Sequence, residues 1–202
     1  MEYTVFRSNY ASIFVFSIAI YSYMTLSLGL RPLPPKTSTE FIRTSCRRTT
    51  YPDLCYSSLS RHASLIQTDP KLLTSAALNV TLDATRSTSA TMVRLAKTHG
   101  MSPREVGAMK DCVEELGASV NELRKSIGEM KNIRSSNFEL TINDIQTWVS
   151  AAMTDETTCS DGFAGNVMNG NVKVAVRNQI VTIAHLTSNA LALINKYASL
   201  HG

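Results

Sequence analysis

The sequence is short of nearly everything that catalysis or cofactor binding needs. It contains no G-x-S-x-G, no H-E-x-x-H, no glycine-rich phosphate loop and no calcium loop. Those absences argue against nucleophile-elbow hydrolases, zinc proteases, nucleotide-binding enzymes and EF-hands. No C-x-x-C occurs, and His62, His99, His185 and His201 are scattered without ligand spacing, so neither a metal nor a cofactor is expected. Cysteine is scarce too, and the even count of 4 leaves no thiol over for a Cys-His nucleophile. There is no run of Lys or Arg and no basic stretch interleaved with aromatics. The net charge of +4 therefore describes a solvated surface rather than a nucleic-acid footprint.

One long uncharged apolar run is present. Behind Arg7 the chain reads YASIFVFSIAIYSYMTLSLGL, followed by Arg31-Pro32-Leu33-Pro34-Pro35-Lys36. This is the pattern of a secretory signal peptide over residues 1–29, with cleavage after Gly29 and a Pro-rich start to the mature chain over 30–38. The run approaches the roughly 20 apolar residues that span a bilayer. Its N-terminal position, its tyrosines and serines and the lack of a basic stop-transfer cluster favour secretion, with no membrane association once the leader is gone. Asn79-Val80-Thr81 is a glycosylation sequon and has meaning on that route only.

In a secreted chain, Cys46, Cys55, Cys112 and Cys159 read as two disulfides. Three pairings are possible. Proximity favours Cys46 with Cys55, which leaves Cys112 with Cys159.

Few aromatics, a single Trp and much Ala, Ser, Thr, Leu and Met suit helices better than sheets. A short helix is expected to open at Thr39-Glu40-Phe41-Ile42, and Tyr51-Pro52 turns the chain into a second one, giving a helical hairpin over 39–66. Asp69-Pro70 starts a long helix that runs to Lys97 and is ended by Gly100. Ser102-Pro103-Arg104-Glu105 is a capping box, and behind it Val106, Met109, Val113, Leu116, Val120, Leu123, Ile127 and Met130 alternate steps of three and four. A third long helix begins near Thr141 and carries Ile145, Trp148, Val149, Ala152 and Met153 toward Cys159 and Phe163. After the break around Gly165 to Gly170, a fourth carries Val176, Ile180, Ile183, Ala190, Ile194 and Tyr197. One apolar face per helix and short connections predict an all-α protein, an up-down four-helix bundle over 69–200 preceded by the hairpin and held by two disulfides. Trp148 is expected in the core, and the hydroxyl-rich run Thr85 to Thr91 as an exposed or close-packed helix face. Seam residues of this size fill the interior, which argues against a carrier of apolar ligands.

Four blocks carry a resemblance: Ile42 to Cys55 as IRTSCRRTTYPDLC, Cys112 in CVEEL, Trp148 to Phe163 as WVSAAMTDETTCSDGF, and Leu186 to Leu191 as LTSNAL. With them the sequence resembles the plant invertase and pectin methylesterase inhibitor family from about Phe41 to Ile194. The resemblance implies a hairpin clipped by the first disulfide and a bundle whose second and third helices are tied by the second. It also implies an extracellular inhibitor of the apoplast and cell wall with no catalysis of its own. Members that act on pectin methylesterase cover its substrate cleft in a 1:1 complex. Those that act on acid invertase insert a loop that typically carries Pro-Lys-Phe, and here the matching connection, Asn132 to Leu140, reads NIRSSNFEL without it. The Thr158 to Phe163 block is also similar to pro-regions of pectin methylesterases, which a catalytic domain would follow. Pectin methylesterase is thus the expected partner and acid invertase the alternative. The implied contact surface lies on the second and third bundle helices, where Glu115, Asn121, Glu122, Asp144, Gln146 and Thr147 are candidates. Related inhibitors often carry acids near the positions of Ala118 and Asn121, and this sequence has none at those two.

Overall fold

The structure is a computed structural model that describes residues 36–164 and 170–201. All of them belong to one unit, Pro34–Gly202. The expected signal peptide, residues 30–35 and most of the glycine-rich break lie outside the described residues. Helices alone carry the fold among those described: α1 (Lys36–Cys46), α2 (Pro52–Leu59), the single turn α3 (Ala63–Ile66), and the long α4 (Pro70–Leu95), α5 (Pro103–Asn132), α6 (Phe138–Gly162) and α7 (Asn171–Ala198).

The helix starts follow from local chemistry. Asp69 Oδ1 accepts hydrogen bonds from the Lys71 and Leu72 amides at 2.7 and 3.1 Å, and Pro70 fills the first helical position, where no amide proton is needed. Ser102 and Glu105 close the capping box on α5 in both directions. Two starts come earlier than the sequence suggested. Helix α1 begins at Lys36 and takes up the end of the segment expected to be an irregular Pro-rich start. Helix α6 begins at Phe138, behind a turn at Ser135–Asn137 in which the Asn137 side chain accepts the Arg134 amide at 2.7 Å. At the other end, α4 stops at Leu95, two residues short of Lys97, and Gly100 turns the chain with φ +92°, a conformation open to glycine.

The four long helices pack in a ring, each against two neighbours, in the order α4, α5, α6, α7 and back to α4, with the fullest contact between α5 and α6. Short connections make consecutive members antiparallel. The hairpin closes one end. Cys46 and Cys55 are bonded with their Cα atoms 5.6 Å apart, and Ile42, Leu59, Ala63 and Ile66 bury themselves against Leu73, Ala77 and Leu78 of α4 and Leu193, Ile194 and Tyr197 of α7. A side-chain amide fastens the hairpin turn to the bundle: Asn189 on α7 accepts the Tyr51 amide at 3.0 Å and donates to the Tyr51 carbonyl at 2.9 Å. Between hairpin and bundle the enclosed space is about 10 Å³, at the lower limit for a single water.

Cys112 and Cys159 are bonded across α5 and α6. Most of the α5 seam is buried as expected, but Val106 is 50% exposed. Since Cys112 is level with Cys159, Val106 lies nearly two turns beyond it, past the end of α6 at Gly162. Trp148 also departs from expectation. Ile145, Val149 and Ala152 take the buried stripe of α6, and Trp148 sits at its edge, half-buried, with the Lys125 ammonium 5.8 Å from its ring centroid.

Candidate functional site

The polar surface over α5 and α6 is the place where the candidate residues meet, and helical spacing decides which of them do. Residues 115, 118, 122, 125 and 129 form one stripe along α5, and 144, 148, 151 and 155 form one along α6. The two stripes run side by side in opposite directions, so Glu115 and Glu122 both act on Asp155, while Lys125 reaches Trp148. Glu122 is the centre of this face. Its Oε1 accepts the Lys125 ammonium at 3.0 Å, and its Oε2 is buried with no hydrogen-bond partner, although the side chain as a whole is 20% exposed.

On this face, Asp155 is an acid whose titration is displaced. Partial burial, and then the like charges of Glu115 and Glu122, push its carboxyl up to about 6. It is not among the candidates that the sequence offers for this face. The missed signal is its position, seven residues beyond Trp148 on the same stripe of α6.

The remaining candidates divide. Asp144, half-buried, shares the Trp148 stripe. Asn121 is exposed on α5, where its side-chain oxygen accepts from Arg124 at 3.3 Å. Thr147 is exposed and donates to the Asn143 carbonyl of its own helix at 2.9 Å. Gln146 points the other way, toward α7, where it donates to Asn195 at 2.8 Å, and so lies apart from the α5 stripe. Asn79 is exposed on α4, with its amide donating to the Ser75 carbonyl at 2.7 Å.

A different polar feature lies at the hairpin end. Gln67, at φ 52°, and Thr68, Asp69, Lys71, Tyr197 and His201 line an open cleft of about 540 Å³. The α5–α6 connection borders its neighbour, a space of about 290 Å³ lined by Ile133, Arg134, Ser135 and Phe138 as well as Tyr197 and His201. This is the edge to which a loop-insertion mode of binding would belong.

Inside the bundle, one carboxyl was missed altogether. Glu156 is 0% exposed, and its oxygens are met by hydroxyls from the three other long helices: Thr85 at 3.3 Å, Ser119 at 3.0 Å and Thr187 at 2.8 Å. Thr85 and Thr88 are thus buried, and the run from Thr85 to Thr91 is in part a close-packed face whose first hydroxyl has a specific partner.

A ring of four antiparallel helices, cross-tied between α5 and α6 and headed by a clipped hairpin, thus carries an acidic and aromatic face on its two tied helices. The chain belongs to the plant invertase/pectin methylesterase inhibitor family, whose model matches residues 40–193, and it is an inhibitor, not an enzyme. It is 46% identical over 167 residues to pectinesterase inhibitor 11 of Arabidopsis thaliana, covering 81% of this chain and 83% of that one. It is 43% identical over 188 residues to a 21 kDa protein of Daucus carota, covering 92% and 96%. The fold matches a crystal structure of a mutant form of an Arabidopsis pectin methylesterase inhibitor with a TM-score of 0.62 at 21% identity, covering 76% of this chain and 95% of that one.

Proposed function

We propose that this protein is secreted to the cell wall and inhibits pectin methylesterase by covering the enzyme's substrate cleft in a 1:1 non-covalent complex. The observation that carries the reading is the 46% identity to a named pectinesterase inhibitor over most of both chains. The connection at 132–140, without Pro-Lys-Phe, makes acid invertase the weaker candidate.

The contact surface is the α5–α6 face. A half-buried Trp beside a lysine is the kind of anchor around which protein interfaces concentrate their binding energy. Beside it the Glu122 side chain, 20% exposed and held by Lys125, adds a carboxylate to the same face. Two rigid helices present both, so binding needs little rearrangement and an interface of about 800 Å² per partner.

A paired titration tests this: the disulfide-bonded protein against a plant pectin methylesterase and against a cell-wall invertase, at mildly acid pH. Loss of esterase activity with a 1:1 end point and unchanged invertase is expected. Loss of invertase alone would overturn the assignment and move the contact to the cleft beside Ile133 and Arg134.

A further inference from the structure

Each of the four long helices sets a polar residue into its apolar stripe at one shared level of the bundle. On α6 the stripe Ile145, Val149, Ala152, Glu156, Cys159, Phe163 keeps its steps of three and four through an acid. Ser119 does the same between Leu116 and Leu123 on α5, Thr187 between Ile183 and Ala190 on α7, and Thr85 between Leu82 and Met92 on α4. Above and below this layer lie two separate apolar clusters. Glu156 therefore closes a polar plane that joins all four helices and divides the core.

Proton counting shows what this plane needs. Thr187 Oγ1 lies 2.8 Å from Glu156 Oε2 and 3.0 Å from the Ile183 carbonyl, but it has a single proton to give. Thr85 faces the same choice between Glu156 at 3.3 Å and the Thr81 carbonyl at 3.0 Å. With Glu156 protonated, its own O–H donates to Thr187, Thr187 donates to Ile183, and Ser119 donates to the free carboxyl oxygen. Every group is then satisfied without a buried charge. With Glu156 ionised, Thr187 must turn its proton to the carboxylate, the Ile183 contact holds none, and the charge has no cation. The charge that acts on it, Asp155, has the same sign.

The charged groups on the surrounding helices do not change this. Asp83 and Arg86 flank Thr85 on α4, where they are largely exposed and pair with each other at 3.9 Å. Glu115 and Glu122 flank Ser119 on α5 and act on Asp155. His185, near Thr187 on α7, is stacked on Tyr51.

We propose that Glu156 is a proton-operated latch: its neutral carboxyl locks α4, α5, α6 and α7 together in acid surroundings, and loss of its proton loosens the junction between the two halves of the core. Burial places its titration well above the ordinary 4.5, at about 7. A folded-state value raised above the unfolded one gives a stability contribution that is fully present below about 4.5. It is lost as pH rises through about 7.

Two measurements test the latch. In a ¹³C NMR titration of the disulfide-bonded protein, assigned by the resonance that vanishes in E156Q, the Glu156 carboxyl carbon is expected to titrate near neutrality. A midpoint in the ordinary carboxylate range would overturn the proposal. In thermal unfolding between about pH 5 and about pH 8, Tm of the unaltered protein is expected to fall, and E156Q to lose more than half of that fall. An undiminished fall in E156Q together with its disappearance in D155N would assign the effect to Asp155 and overturn the latch. If E156Q does not fold, the NMR midpoint, assigned instead by Glu-selective labelling, decides.

Discussion

The two halves of the bundle core are built differently. Toward the hairpin, buried Leu and Ile from all four long helices meet Ile42, Leu59, Ala63 and Ile66, so this half has a lid of its own. Beyond the Glu156 plane, the buried set is smaller and softer: Met92, Met109, Leu116, Val176, Ile180, Ile183 and a single large aromatic, Phe163, around the Cys112–Cys159 bond. Methionine fills space without fixing it, so this half relies on the covalent tie and on Phe163 for its shape. Each half holds one disulfide, but the first sets far more packed side chains beside its bond than the second.

The largest expected effects fall in the second half. Phe163→Ala should cost about 3–5 kcal/mol in denaturant unfolding, the range for losing a fully buried aromatic side chain. Replacing Cys112 and Cys159 together by Ser should cost about 4 kcal/mol, against about 3 kcal/mol for Cys46 and Cys55, on the entropy of closing the longer loop. A reversed order would break the comparison and make the hairpin clip the principal staple. A smaller effect is expected at the plane between the halves. Thr187→Val removes a donor to Glu156 and should cost about 1–3 kcal/mol. That cost is expected to be greater above pH 7 than at pH 5, since the ionised carboxyl needs the donor more; chemical unfolding at the two pH values measures it. The smallest stability change is expected on the surface: Trp148→Ala should move Tm little and weaken inhibition about tenfold or more, read by titrating the esterase.

Much of this was legible in the residues. Asp69-Pro70 and the Ser102–Glu105 box announced their helices, because capping is local chemistry. The seam from Met109 to Met130 announced its burial through helical period alone. Val106 matched the same period and is exposed, because burial also needs a partner, and α6 ends before reaching it. Trp148 reads as a core residue by its apolar character, yet its place at the edge of the buried stripe leaves it beside Lys125. Glu156 stood in plain sight on the stripe of Ala152 and Cys159. An acid at a core position reads as an interruption until three hydroxyls from distant parts of the chain are seen to meet it. The LTSNAL block gains a physical meaning in the same way: Thr187 belongs to the plane, and Asn189 clamps the Tyr51 turn.

The α5–α6 face remains the centre of the account, and one titration tests it most directly. Residual pectin methylesterase activity is followed against added inhibitor for the unaltered protein, Trp148→Ala, Glu122→Gln, and Lys71→Ala in the distant cleft. The unaltered protein and Lys71→Ala are expected to reach the same 1:1 end point, with the two face variants shifted to much higher ratios. Inhibition that survives both face variants and fails with Lys71→Ala would contradict the assignment and place the contact at the hairpin end.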